Sequence, residues 1–271
     1  MEDNKDGRCF TDVTIRTERC LGLSNDQEIG VSKEDDSERF IRYFRRQLTV
    51  IDSAQFTEKG SLYKKVLFVT VIDALSKTVY PRKKPGDRFI SLIRHYGEWK
   101  NCDRISLTHL VRLLEKLPDL EAFSKLREFA LARRAKWGDG EIISLDKDPD
   151  YKEVQRLWPR EEKYKQPLEK VDLNSLRHVR LLYSYRNKLI HEMVRPDWAV
   201  DLPEEEEPFY ASMTDGEWVL TYPLKFFLRL CSRLLAGLGM YYSRNGINPY
   251  ELSGSDTCWI ETLKGYPQGR P

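Results

Sequence analysis

Apolar residues recur every three or four positions through most of this chain, and that period predicts helices. In residues 37–54, SERFIRYFRRQLTVIDSA, the apolar side is Phe40, Tyr43, Phe44, Leu48 and Ile51, with Ser37 as N-cap. Residues 61–81, SLYKKVLFVTVIDALSKTVYP, repeat apolar positions at Leu62, Val66, Val69, Ile72 and Leu75. The β-branched run from Val66 to Ile72 favours a strand locally, but the length of the segment favours a buried helix, and Pro81 stops it. Pro85 opens a shorter helix that ends at Gly97. SLTHLVRLLEKLP and DLEAFSKLREFALARRAKW read as two helices separated by Pro118.

Residues 138–170 are rich in charge, Pro and Gly, and read as a long loop with a brief helix near YKEVQRLW. Asp172 or Asn174 caps the next helix, which runs to about Val194 before Pro196. Its buried stripe is expected at Leu176, Val179, Tyr183 and Ile190. After the acidic run DLPEEEEP, the alternating segment FYASMTDGEWVLTYP turns at Asp215-Gly216 and predicts a hairpin. Pro223 then opens the last long helix. The expected fold class is all-α, a helical bundle with one small β-hairpin between the last two long helices. The chain divides into a tail (1–36), a helical domain (37–245) and a C-terminal extension (246–271). It lacks βαβ alternation and the glycine-rich phosphate loops, which argues against nucleotide-binding α/β folds.

Composition narrows the classes further. Among 271 residues, 45 Lys and Arg oppose 43 Asp and Glu, a net charge of +2. Attraction to a nucleic acid must therefore come from local clustering. The five cysteines, Cys9, Cys20, Cys102, Cys231 and Cys258, form no C-x-x-C pair, which argues against a zinc knuckle or a secreted disulfide framework. Reduced thiols in a cytoplasmic protein are the expectation. The N-terminal stretch has no apolar signal-peptide core. Lys225, Arg229 and Arg233 interrupt the most apolar late segment, so no membrane association is expected. Their four-residue spacing marks a polar stripe on an amphipathic helix.

The stretch SYRNKLIHEM, residues 184–193, carries the candidate chemistry. Asn187 and His191 are four apart and share a helix face, which Tyr183 and Arg195 extend. Arg186 lies about 100° round from Asn187, and its long side chain can reach the same groove. An imidazole can move a proton to or from an RNA hydroxyl near neutral pH. A guanidinium can fork onto phosphate oxygens and stabilise charge in the transition state. Lys188 falls on a neighbouring face and serves as an inert control. On spacing alone an arginine and a histidine on a helix are mostly a solvated face or a satisfied core pair, and Asn187 alone reads as a surface residue. His95, His109 and His178 have no context that assigns them a role. Asp73 sits in the apolar second helix and needs a partner there. It is either a structural ion-pair member or the group that holds Arg186.

RNKLIH resembles the signature of the HEPN superfamily, an arginine, four to six residues, then a histidine, with a polar residue after the arginine. The helical setting is similar too, over roughly residues 37–245. The resemblance implies a metal-independent endoribonuclease without cofactor. Its catalytic residues would be Arg186, Asn187 and His191; Asp73 and Tyr183, from their own places on the helices, are the candidates to support them. Two motifs would meet at a homodimer interface, and the products would carry 2′,3′-cyclic phosphate and 5′-hydroxyl ends. It further implies RNA as substrate, a prokaryotic defence role as toxin, abortive-infection or antiviral factor, and an antitoxin or regulatory partner. The rival readings are a catalytically inactive HEPN-like module for RNA binding or assembly, and a purely structural helical adaptor.

Overall fold

The structure is a computed structural model and describes residues 36–56, 59–117, 121–138, 142–168, 171–194, 202, 204–213 and 216–252. All of these belong to one compact unit, Asp35–Pro271. The tail up to residue 35, Arg195, Pro196 and Asp215 lie outside the described residues. The architecture is mainly helical with a small antiparallel sheet.

Five long helices enclose the main core. They are α1 (Asp36–Ser53), α2 (Gly60–Val79), α3 (Pro85–Tyr96), α7 (His178–Glu192) and α8 (Leu224–Asn245). Helix α1 buries Phe40, Ile41, Leu48 and Ile51 and turns its arginines outward. Tyr43, expected inside, is 55% exposed, and Ile41 takes its place. Helix α2 is apolar on nearly every side because α1, α3, α7 and α8 all surround it. That enclosure overrides the strand preference of Val66–Ile72. Helix α3 begins at Pro85, whose missing N–H costs nothing in a first turn. Gly97 caps α3 in the right-handed region. A Cβ there would lie 2.6 Å from the Ile93 carbonyl oxygen and 3.0 Å from Leu230, so the close approach of α8 requires glycine.

A second core lies between α4 (Leu107–Glu115), α5 (Ser124–Arg134) and α6 (Tyr151–Leu157). Ser106 caps α4 by accepting the His109 N–H. Residues expected to form only a loop contain a strand, β1 (Ile142–Ser144). It pairs antiparallel with β2 (Phe209–Ser212), which pairs with β3 (Trp218–Thr221), so the hairpin is part of a three-stranded sheet. A three-residue strand carries almost no periodicity, and its partner lies far along the chain. Gly216 turns the hairpin with φ +77°, a value glycine adopts without strain.

Asp172 caps a short 3-10 turn (Leu173–Leu176), and α7 starts only at His178. The break follows from Arg104 and Cys102, whose carbonyls accept the N–H groups of His178 and Val179. The buried stripe of α7 is Val179, Leu182, Tyr185 and Leu189; Tyr183 and Ile190 are only partly buried. Lys225, Arg229 and Arg233 on α8 meet Glu204, Glu206 and Glu207 at 3.8, 2.8 and 3.4 Å, so the acidic run lies along the basic stripe. The short α9 (Pro249–Leu252) sets Tyr250 edge-on to Phe40 of α1. Among the described residues no helix is long and apolar enough to cross a membrane.

Candidate active site

Helices α2, α3 and α7 bring Asp73, Tyr183, Arg186 and Asn187 together. Arg186 on α7 donates from Nε to Asp73 Oδ2 on α2 at 2.7 Å, and its Nη2 donates to the same oxygen. Its Nη1 donates to Asn187 Oδ1 at 2.9 Å. Both members of the ion pair have side chains only 14% exposed. A guanidinium has five N–H donors, so three are committed here and two remain. Tyr183 lies under the guanidinium, 5.8 Å from Cζ to the ring centre. Phe89 holds that ring at 5.5 Å, and a Cβ at Gly86 would come within 3.0 Å of it. Tyr183 is thus wedged between α3 and the arginine.

Burial pushes the Asp73 carboxyl above the ordinary carboxylate range; the hydrogen bond and charge of Arg186, with the charges of Arg88 and His191, pull the other way. Asp73 Oδ1 is buried without a hydrogen-bond partner, as is Arg88 Nε. Arg88 is therefore a further charged group of the site that sequence reasoning missed. It follows Pro85 and Gly86 on the polar side of α3, where nothing local distinguishes it from a solvated arginine. His191 is exposed in the last turn of α7, and the apolar Met193 and Val194 beside it are 48% and 52% exposed.

The three histidines without an expected role divide. His95 bonds Tyr80 at 2.6 Å on the surface. His178 and His109 join a buried polar network that the sequence did not announce. His178 Nε2 lies 2.6 Å from Asp148 Oδ2, the Tyr210 hydroxyl donates to that oxygen at 2.7 Å, and the Leu107 N–H donates to Oδ1 at 2.9 Å. Ser106 Oγ is 2.8 Å from the Tyr210 hydroxyl and 2.8 Å from His109 Nδ1. The network ties α4, α7 and β2 at the junction of the two cores. Burial, then the charges of His178 and Arg112, pull His109 down to about 4, so it is neutral at pH 7.

A cavity of about 200 Å³ opens between α4, α7 and β3, on the side of α7 away from the Asp73–Arg186 pair. Lys188, expected to be an inert control, lines it together with Ser184. Two larger hollows, about 490 and 440 Å³, have no lining from α7. Buried Cys231 and Cys102 are free thiols, and burial pushes both up, Cys102 to about 11. Among the described residues no group of three or more His, Cys, Asp or Glu is arranged to hold a metal ion. Comparison of the chain with models of known families, with curated proteins and with solved structures finds no match.

Proposed function

We propose that this chain is a metal-independent endoribonuclease of HEPN type, acting as a homodimer in the cytoplasm of a prokaryote and serving defence. The observation that carries the reading is the Asp73–Arg186 pair. The carboxylate occupies the Nε/Nη2 side of the guanidinium and leaves two N–H groups for a phosphate. His191 stands exposed on the same helix, within one and a half turns.

In this reading the RNA 2′-oxygen attacks the adjacent phosphorus. The P–O2′ bond forms, the P–O5′ bond breaks, and the 2′ proton leaves as the 5′-oxygen gains one. His191 serves one of these proton transfers, and Arg186 stabilises the phosphorane. Asp73 and Tyr183 position Arg186, and Asn187 fixes its Nη1 edge. Two copies of α7 meet to complete the site. An antitoxin or regulatory protein is the further partner.

The low exposure of Arg186 favours a second reading, a HEPN-like module that binds RNA or a partner without cutting. Induced expression separates the two. The nuclease reading expects growth arrest by the wild type, none by His191→Ala, and RNA cut in EDTA by the purified protein. An intact RNA pool during wild-type arrest supports the module.

A further inference from the structure

We propose that the cavity between α4, α7 and β3 is the base subsite of the same site, taking one nucleobase of the RNA next to the scissile phosphate; this rests on the nuclease reading. Its position is the first argument. At 3.6 residues per turn, Ser184 lies about 20° round α7 from His191 and Lys188 about 60°. Both line the cavity, so its mouth and His191 open on adjoining strips of one helix. Arg186 lies about 160° round α7 from both Ser184 and Lys188, toward α2, so the cavity adjoins His191 and not Arg186. RNA whose phosphate reaches His191 passes over that mouth.

The lining is the second argument. Leu181 and Leu220 supply an apolar wall, and Tyr185 and Tyr222, packed against each other at 4.9 Å and almost wholly buried, line it from within the core. Such a lining takes the flat apolar part of a base without reading its identity. Arg112 and Lys188 stand on the cavity wall, each paired to a single exposed carboxylate, Glu217 at 2.8 Å and Glu192 at 3.3 Å. Exposed pairs of this kind are weak, so an incoming phosphate can displace the carboxylate. His109 also lines the cavity, and its Nδ1 is tied to Ser106, leaving Nε2 for a base edge. Its neutrality lets that nitrogen serve as donor or acceptor according to tautomer.

Size is the third argument. About 200 Å³ is below the ~300–1,000 Å³ of pockets that enclose a whole drug-sized ligand. The cavity therefore fits one ring system, with the sugar and phosphate outside, toward Lys188 and His191.

The test is equilibrium binding of the four nucleoside 3′-monophosphates and of ribose 5-phosphate to the full chain, beside RNA cleavage. Ser184→Trp closes the mouth from an exposed position, and Arg112→Gln removes the cation on the far wall; circular dichroism confirms that each folds. At least one nucleoside monophosphate should bind more tightly than ribose 5-phosphate. Ser184→Trp should weaken that binding about tenfold, raise KM and flatten base preference, while kcat changes little. Nucleosides that bind no better than ribose 5-phosphate overturn the subsite, as does Ser184→Trp protein with unchanged binding. If the wild type cuts RNA with dependence on Arg186 and His191 but Ser184→Trp alters neither KM nor preference, the subsite falls and the nuclease reading stands. If nucleotides bind and Ser184→Trp blocks them while no RNA is cut, the cavity is a nucleotide site and the nuclease reading falls.

Discussion

Arg186 places both Nε and Nη2 on one oxygen of Asp73, Oδ2, while the other oxygen, Oδ1, is buried with no partner. The carboxylate is thus half satisfied by the arginine, and its free oxygen faces protein rather than water. Removing one member of such a pair leaves the other charge stranded. Asp73→Ala should cost about 3 kcal/mol in urea unfolding. The double change Asp73→Leu with Arg186→Met should recover most of that loss, because no buried charge is left behind. A double variant as unstable as Asp73→Ala would show that the pair itself, and not the stranded charge, carries the energy.

Catalysis makes a sharper demand on the same residues. His191→Ala and Arg186→Ala should each slow RNA cleavage at least ~100-fold. Asn187→Ala should do less, since the amide holds the guanidinium and moves no proton. Cleavage should survive EDTA, and a 2′-deoxy substrate should resist. A folded protein carrying both His191→Ala and Arg186→Ala and cutting at the wild-type rate would remove the site. Activity abolished by EDTA and restored by one divalent ion would remove the mechanism.

His109 gives the stability a pH dependence of definite sign. Its folded value is depressed to about 4 from an ordinary 6.5. The unfolded chain therefore binds the proton first, and the contribution of neutral His109 is present above about 6.5 and lost as pH falls toward 4. At 1.36 kcal/mol per unit the loss approaches about 3 kcal/mol. His109→Gln should flatten the curve between these values. Urea midpoints of both proteins, measured every half unit across the window, check this; parallel curves would refute it.

Tyr210 donates to Asp148 in a fully buried setting. Tyr210→Phe removes that bond and leaves Asp148 Oδ2 with His178 alone. The expected cost is about 2 kcal/mol, read as a lowered unfolding midpoint. RNA cleavage should persist in the folded variant, because Tyr210 and Asp148 make no bond to Arg186, Asn187 or Asp73.

Assembly is checked by light scattering. The composite site expects a dimer at micromolar concentration with α7 at the interface. A monomer fully active on RNA would exclude it.

The existence of the long helices was legible from their apolar period, but the inner face was not always: of the stripe expected on α7 only Val179 is in the one the helix buries. Helix α2 was the hardest of these, since Val66–Ile72 alone suits a strand; its length and Pro81 decided correctly. The Asp73–Arg186 meeting was legible as a need, since a carboxylate on an apolar helix requires a partner, though not as a geometry. What stayed hidden is nonlocal. Ile142–Ser144 becomes a strand only because β2 offers it an edge. Asp148 and His178 carry no mark in their own segments, and each becomes a partner only when α4 and β2 close over them. Arg88 is told from a surface arginine only by what α7 and α2 place beside it.

Among the described residues α8 is the last long helix and packs against the first three, α1, α2 and α3. During synthesis those three helices emerge without the surface that meets Phe40 and Phe68. At ~5–20 residues per second, the stretch from Val79 to Asn245 takes on the order of ten to thirty seconds to appear. For that interval the nascent chain carries an open apolar trough, a site for a ribosome-bound chaperone. A message broken before α8 yields a sticky fragment and not a smaller folded protein.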